Sequence, residues 1–352
     1  MDNFETPQTV RLRSALQDDK PLIPESPLMR TIGYGTGQYL KHDKGASVYR
    51  LKHSPKVGMC RSPWAVKKVC RPNLAAGVRL DKYALRLKEE ADILKKLNHP
   101  NIVGFRAFVK GEDGRDCLAM EECDASVGDL IGIRSEDGLG PFPAEKILKV
   151  ALDISKALHY LHTECRLLHG DLKSLNVLVN GDFEVAKLCD FGASVPLKAN
   201  GEMDTDTELE YVGTAPWCAP EVLCNDGLTP ITAKTDIFSF GLILWEMITL
   251  RIPHFDESLI EDADESGSSA SDVGYGTRPL LPESPLGDEY KPVIQLFNSC
   301  TEEDFNKRPS AKEIVEQLEK FRLHLNCSSV NAEPGKTVCI GDVCEVLSSV
   351  TF

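Results

Sequence analysis

Apolar positions recur with helical spacing along most of this chain but not near its start, and that contrast divides it. From about Met29 to Asn101 they come first in short β-like runs and only then in a helix. That helix is expected over Lys82 to Leu97, where Leu85, Leu87, Ile93, Leu94 and Leu97 stand among charges and give two faces. A second is expected over Lys146 to Cys165, with Ile147, Ala151, Ile154, Leu158 and Leu161 on one face. Pro141 and Pro143 sit just before it, where a helix start tolerates proline. Thr235 to Leu250 is apolar nearly all round, which predicts a buried helix. Amphipathic helices resume over Tyr290 to Ser299 and Ser310 to His324.

Three segments lack such a pattern. Residues 1–28 are rich in Pro, Asp, Glu and Ser and read as a flexible tail. Residues 256–276 carry seven acidic side chains and no basic one, which predicts a solvated acidic insertion. Residues 323–352 form a C-terminal tail, and from Cys327 onward no helical pattern is visible. There is no internal repeat.

Composition narrows the class. Of 352 residues, 42% are apolar and 27% charged, enough to build a core of ordinary size. The formal net charge of −14 argues against nucleic acid as the partner, because a phosphate backbone needs a basic face. The longest apolar helical stretch, Phe240 to Leu250, is 11 residues long and contains Glu246, too short to span a bilayer. The opening MDNFETPQ has neither the basic nor the apolar region of a signal peptide. The twelve cysteines form no CxxC pair and no zinc-finger spacing. They are expected to be reduced thiols of a cytoplasmic or nuclear protein, with no membrane contact.

The chemistry is carried by short motifs in a fixed order. Gly33-Tyr34-Gly35-Thr36-Gly37 is a glycine turn after a strand, where backbone can approach phosphates closely. Taken alone it is only a turn. Ala65-Val66-Lys67 ends a strand in a lysine suited to the α- and β-phosphates of a nucleotide, and Glu90 on the following helix would brace Lys67. Glu89 is the rival for that role. In His169-Gly170-Asp171-Leu172-Lys173-Ser174-Leu175-Asn176, Asp171 would take or orient a hydroxyl proton and Lys173 would offset phosphoryl charge. Asn176 and, fourteen residues on, Asp190 of Asp190-Phe191-Gly192 are hard oxygen donors placed to hold Mg²⁺. Farther on, Glu221 of Ala219-Pro220-Glu221 and Arg308 are expected to form a buried ion pair, and Asp236 to tie the catalytic-loop backbone. Any one of these motifs arises by chance; all of them in this order do not.

This series resembles the protein kinase superfamily over about residues 30 to 322. The runs SPWAVKK (62–68), HPNIVGFRAF (99–108), LLHGDLKS (167–174) and GTRP (276–279) resemble a branch named for a C-terminal PDZ ligand. The resemblance implies an α+β bilobal fold: an N-lobe over 29–120, a hinge at 121–123 and a C-lobe over 124–322. It implies ATP with Mg²⁺ between the lobes and transfer of phosphate to Ser/Thr hydroxyls of protein substrates. Lys173 and Thr214 match the Ser/Thr kinases, with acceptance of tyrosine left open. Met120 would be the gatekeeper behind adenine, followed by Glu121, Glu122 and Cys123 of the hinge. Asp129 would contact ribose or a basic substrate residue, or simply start a helix. The same branch is described as MAP-kinase-kinase-like and active in dividing cells.

Several positions depart from the family pattern. Gly170 replaces the usual arginine, so the phosphate clamp on the activation loop is missing; Glu202, Asp204, Asp206, Glu208 and Glu210 would supply part of that charge. In the glycine loop Val48 follows late, so residues 37–44 read as an insertion lengthening the loop tip, with Gly45 as the returning glycine. The tail ends Ser348-Ser349-Val350-Thr351-Phe352, where Val350 and Phe352 alternate as in a PDZ ligand. Thr6-Pro7 and Ser26-Pro27 suit an upstream proline-directed kinase. The rival reading is a weak pseudokinase scaffold tethered by that tail; it is disfavoured because Lys67, Glu90, Asp171, Asn176 and Asp190 are all present.

Overall fold

The computed structural model describes residues 37–43, 46–51, 56–57, 60–61, 64–69, 80–111, 113–207, 209–224, 229–255 and 274–330. The chain divides into two compact units, Met1–Asn98 with Val103–Cys123, and His99–Ile102 with Asp124–Phe352.

The first unit is a five-stranded antiparallel sheet and one helix. In sequence the strands are β1 (Gly37–Asp43), β2 (Ala46–Leu51), β5 (Trp64–Val69), β6 (Phe105–Lys110) and β7 (Asp116–Glu121), in spatial order β1-β2-β5-β7-β6. A small hairpin of β3 (Lys56–Val57) and β4 (Cys60–Arg61) precedes β5. Alternation sets the two faces of the central strand β5. Trp64 and Val66 join Ala107, Val109, Cys117 and Ala119 in one buried cluster. Ala65 and Lys67 point the other way. Register pairs Val48 with Lys67, Lys67 with Leu118 and Ala65 with Met120, so these five residues share one face.

Helix α1 (Leu80–Leu94) packs on β5, β6 and β7. Its buried stripe is Leu87, Glu90, Ala91 and Leu94, a helical i, i+3, i+4, i+7 repeat. Leu85, expected on the apolar face, is instead 57% exposed. It stands two residues before Leu87, and positions two apart on a helix point apart.

The second unit is mostly helical. Strand β8 (Ala125–Ser126) leads into α2 (Val127–Glu136), and α3 (Ala144–Tyr160) follows Pro143 as its N-cap. The predicted second helix is thus present, but its last turn, Leu161–Cys165, widens into a π-turn closed by Arg166 at φ 50°. β9 (Leu167–Leu168) pairs with β12 (Val195–Pro196), and β10 (Val177–Asn180) lies between β11 (Val185–Leu188) and β8. Helices α4 (Pro220–Leu223), α5 (Ala233–Thr249), α6 (Lys291–Cys300) and α7 (Ala311–Val330) complete it. Residues 235–248 of α5 are all buried, as the apolar run demanded. Helix α7 packs on α3 and runs to Val330, so Cys327 to Val330 are helical, contrary to the reading of the tail. The end placed at 322 falls inside this helix.

One other expectation changes. Residues 37–43 are not a lengthened loop tip. They form β1, paired residue by residue with β2 from Gly37–Leu51 to Asp43–Ala46, with a bulge between Tyr39 and Lys41. Gly33 to Thr36, Gly45, residues 256–273 and the two terminal tails, with Thr6, Ser26 and Val350 to Phe352, lie outside the described residues. Among the described residues no helix is long and apolar enough to cross a membrane.

Candidate active site

In the first unit Lys67 Nζ lies 3.0 Å from Glu90 Oε2, with the two side chains 9% and 3% exposed. The helix stripe decides between the two candidate acids: Glu90 lies in it, and Glu89 faces solvent. A charge in that stripe is tolerable because its partner is buried beside it. Val48, Ala65, Lys67 and Met120, four of the residues expected at the nucleotide, share the face described above. Glu121 lies on the opposite face. Its backbone N–H donates to Gly104 O at 2.8 Å, and its Oε2 accepts from Gly104 N–H at 3.0 Å. Cys123 is half-buried at the end of this unit. Gly37 opens β1.

In the second unit the catalytic loop, residues 169–176, runs from β9 to β10 and is held from below by α5. Asp236 is buried, with 1% exposure, and accepts from the backbone N–H of His169 at 2.8 Å and of Gly170 at 3.1 Å. His162 Nε2 also reaches Asp236, at 2.8 Å. Asp236 is not the N-cap of α5; Thr232 is, in a capping box with Thr235. Asp171 N–H donates to His169 Nδ1 at 3.3 Å, which leaves Nε2 as the protonated nitrogen, donating to Cys189 O at 3.1 Å. The His169 ring also packs against Phe191, centroids 5.1 Å apart.

These anchors present Asp171 as a held carboxylate. Its Oδ2 accepts from Lys173 Nζ at 2.8 Å and its Oδ1 from the Thr214 hydroxyl at 2.5 Å. Lys173 Nζ also donates to Thr214 Oγ1 at 3.0 Å, closing a triangle. The motif reading saw Thr214 only as a marker of hydroxyl specificity and missed this contact.

The donor set for a metal passes a structural test. Asn176 Nδ2 donates to Asp171 O at 2.8 Å, which turns Oδ1 the other way. That Oδ1 is buried without a hydrogen-bond partner. An orphan buried amide oxygen is costly unless a donor or a hard cation completes it. Cys189 N–H donates to Asn176 O at 3.0 Å and so fixes the chain one residue before Asp190. Asp190 itself adopts φ 66°, the left-handed region, which a non-glycine residue occupies at some cost. Asn176 and Asp190 thus fit a Mg²⁺ ion.

Asp129 takes the helix-start role. It is N3 of the α2 capping box, with Oδ2 accepting from Ser126 Oγ at 2.6 Å. The pair expected far apart in sequence also forms: Arg308 donates to Glu221 at 2.7 and 2.9 Å, both side chains sealed, with Phe238 under the guanidinium at 4.9 Å.

Gly170 has φ 77°, and a Cβ there would stand 2.5 Å from Ala193 O. The loop conformation therefore requires glycine where the family pattern has arginine. Of the five acids, Glu208 lies outside the described residues, and two of the others are taken up within the activation segment. Asp204 and Asp206 face Lys198 of their own segment, at 3.8 and 3.4 Å. Instead the segment is anchored by apolar contact: Met203, Tyr211 and Ile231 pack on Leu168, Val195 and Leu197.

A family model, "Protein kinase domain", matches residues 44–318. The chain belongs to the protein kinase family. This kinase is 45% identical over 333 residues to the human "Lymphokine-activated killer T-cell-originated protein kinase", covering 91% of this chain and 98% of that protein. It is 35% identical over 235 residues to the Dictyostelium discoideum "Probable serine/threonine-protein kinase drkC", 66% of this chain but 29% of that protein. Over 247 residues it is 34% identical to the rat "Mitogen-activated protein kinase kinase kinase 12", 69% of this chain and 24% of that protein. Its fold is α+β and bilobal, and it is a serine/threonine protein kinase that uses ATP.

Proposed function

We propose that phosphoryl transfer by this kinase runs through Asp171, Lys173, Lys67 and Glu90, with Asn176 and Asp190 as the Mg²⁺ ligands. The observation that carries the reading is the Asp171–Lys173–Thr214 triangle beside the unpartnered Oδ1 of Asn176. A carboxylate offers about four lone-pair sites, and Asp171 gives one on each oxygen to Lys173 and Thr214. It takes the proton of a substrate Ser or Thr hydroxyl as that oxygen bonds to the γ-phosphorus and the bond to the ADP oxygen breaks. Lys173 offsets negative charge on the transferring group. Lys67, held by Glu90, positions the α- and β-phosphates. Val48, Ala65 and Met120 seat the adenine beside the hinge residues Glu121 and Cys123, with Gly33, Tyr34, Gly35, Thr36, Gly37 and Gly45 near the phosphates. Bound Mg²⁺ supplies charge neutralisation on the phosphate oxygens.

The wider role rests on the family resemblance. We place this kinase in MAP-kinase-kinase-like signalling of dividing cells, in cytoplasm or nucleus. Thr6 and Ser26 are proposed sites for a proline-directed kinase, and Val350 to Phe352 a PDZ ligand.

The test is transfer of radiolabelled γ-phosphate from ATP–Mg²⁺ to a basic protein mixture by wild type, Asp171→Asn and Lys67→Met. Transfer that both variants lose supports the assignment; equal transfer by all three overturns it. Absence of transfer in all three favours the scaffold reading.

A further inference from the structure

The long buried helix α5 carries one side chain that the mechanism above does not use. Glu246 is 2% exposed, in the middle of a run of apolar neighbours from Gly241 to Ile248. Its two oxygens are shared between two different segments. Oε1 accepts from the hydroxyl of Ser174, next to Lys173 in the catalytic loop, at 2.6 Å. Oε2 accepts from the indole N–H of Trp217, three residues after Thr214 in the activation segment, at 2.7 Å. Thr214 and Lys173 both hold Asp171. One buried carboxylate therefore ties together the backbone stretches that carry these two partners of Asp171.

A buried carboxylate in an apolar helix is an expensive way to join two segments. A leucine would fill the space without desolvating charge. What a carboxylate supplies is two acceptor oxygens at once, one for the Ser174 hydroxyl and one for the Trp217 indole. The indole N–H is a donor only. The ionised form meets both donors without a proton of its own. The neutral acid must place a hydrogen on one oxygen, and the Ser174 hydroxyl then has to turn to accept it. We infer that Glu246 is a positioning residue for phosphoryl transfer: its ionised carboxylate fixes Ser174 and Trp217, and through them sets the Lys173–Asp171–Thr214 triangle.

The electrostatics agree with the geometry. Burial pushes the Glu246 carboxyl up to about 7, while the bonds from Ser174 and Trp217 and the Lys173 charge pull it back. Lys173 is the charged group facing it from the catalytic loop; the activation segment presents the neutral indole, and Asp236, on its own helix, faces His169, Gly170 and His162 instead. The switch between the two forms thus falls in the neutral range.

The inference rests on the reading of Asp171 as the proton acceptor. The experiment is a pH–rate profile of kcat and of KM for ATP, from pH 5.5 to 9, for wild type, Glu246→Gln, Ser174→Ala, Trp217→Phe and Asp171→Asn. The glutamine is isosteric and mimics the neutral acid. Wild type should lose turnover as pH falls through about 7. Glu246→Gln should be slower at pH 8 by roughly tenfold, the scale of one misplaced hydrogen bond, with KM for ATP unchanged and the acid limb near neutrality gone. Ser174→Ala and Trp217→Phe each remove a bond that favours the charged form, so their limb should move to higher pH. These two variants keep the test open if Glu246→Gln does not fold. A Glu246→Gln enzyme with wild-type kcat and the wild-type limb overturns the inference, as does an unmoved limb in both donor variants. Asp171→Asn separates the two readings: if it retains turnover, the role of Asp171 is wrong; if it alone loses turnover, only the positioning role is wrong.

Discussion

The Thr214 hydroxyl donates to Asp171 Oδ1 at 2.5 Å, on the carboxylate whose other oxygen holds Lys173 at 2.8 Å. Residues 43 positions apart are thereby joined at the proposed proton acceptor. The contact makes the activation segment part of the catalytic loop's geometry, and it explains why a hydroxyl residue belongs at 214.

Replacing that hydroxyl tests the link. Thr214→Val keeps the shape and removes the donor, leaving Asp171 and Lys173 each short of one partner. Turnover should fall roughly tenfold to a hundredfold, with KM for ATP little changed, because the loss is of orientation and not of nucleotide contact. Thr214→Ser should recover most of it. Steady-state kinetics of the two variants decide the point; equal rates for Val and Ser variants would remove Thr214 from the mechanism.

Glu90 and Glu89 are adjacent in sequence and opposite in environment. Glu90→Ala removes the carboxylate paired with Lys67 in the buried face, and breaking a buried pair costs up to about 3–5 kcal/mol. Glu89→Ala alters a solvated charge and should change stability by no more than about 0.5 kcal/mol. Chemical denaturation of both variants gives the comparison, and only Glu90→Ala should also lose transferase activity. Similar midpoints for the two would mean that the Lys67–Glu90 pair contributes little in solution.

The contacts within the catalytic loop were legible in the sequence because short spacing carries them. Asp171, Lys173 and Asn176 sit on one short loop between β9 and β10, so a few residues of separation determine how they meet. The Glu221–Arg308 pair was legible for another reason: both belong to recognisable motifs, although no local pattern joins them. The β1 strand was not legible. Gly37-Gln38-Tyr39-Leu40-Lys41-His42-Asp43 has little β-branched character, and its pairing comes from the neighbouring strand β2 and not from its own propensity. The exposed Leu85 was misjudged because positions 85 and 87, two apart, point to different sides of one helix. Glu246 was visible as the single charge in an apolar run, but a run of hydrophobic residues says nothing of what a buried carboxylate will meet. Ser174 and Trp217 reach it only through the fold, across 72 and 29 residues.

Gly170 gives a sharper expectation than its position in the motif does. At φ 77° an L-residue costs about 1–2 kcal/mol, and the Ala193 carbonyl leaves no room for a Cβ at 2.5 Å. Gly170→Arg should therefore lower the melting temperature and turnover, and should not restore a phosphate clamp. Activity should instead persist without loop phosphorylation, because the segment is held by Met203, Tyr211 and Ile231 on the apolar cluster. Thr205→Ala with Thr207→Ala should keep most of the wild-type rate; loss of activity in that double variant, with the acids intact, would refute the idea.

Glu246 also makes a stability prediction that is independent of rate. Its folded-state carboxyl titrates near 7, against an ordinary value of 4.5, so between those values the folded protein holds a proton that the unfolded chain has released. Stability from this group is therefore lost as pH rises through the window, since the state that binds more protons is favoured at low pH. Glu246→Gln removes the titration and keeps the shape. The free energy of unfolding of wild type minus that of Glu246→Gln should accordingly fall by about 3 kcal/mol between pH 4.5 and pH 8, an upper figure set by the full separation of the two values. Taking the difference cancels the titrations that the two proteins share. Urea denaturation at pH 5, 6, 7 and 8 measures it. A flat difference across that range would mean that Glu246 is already ionised throughout, and would place its ionisation well below the range where it can govern turnover.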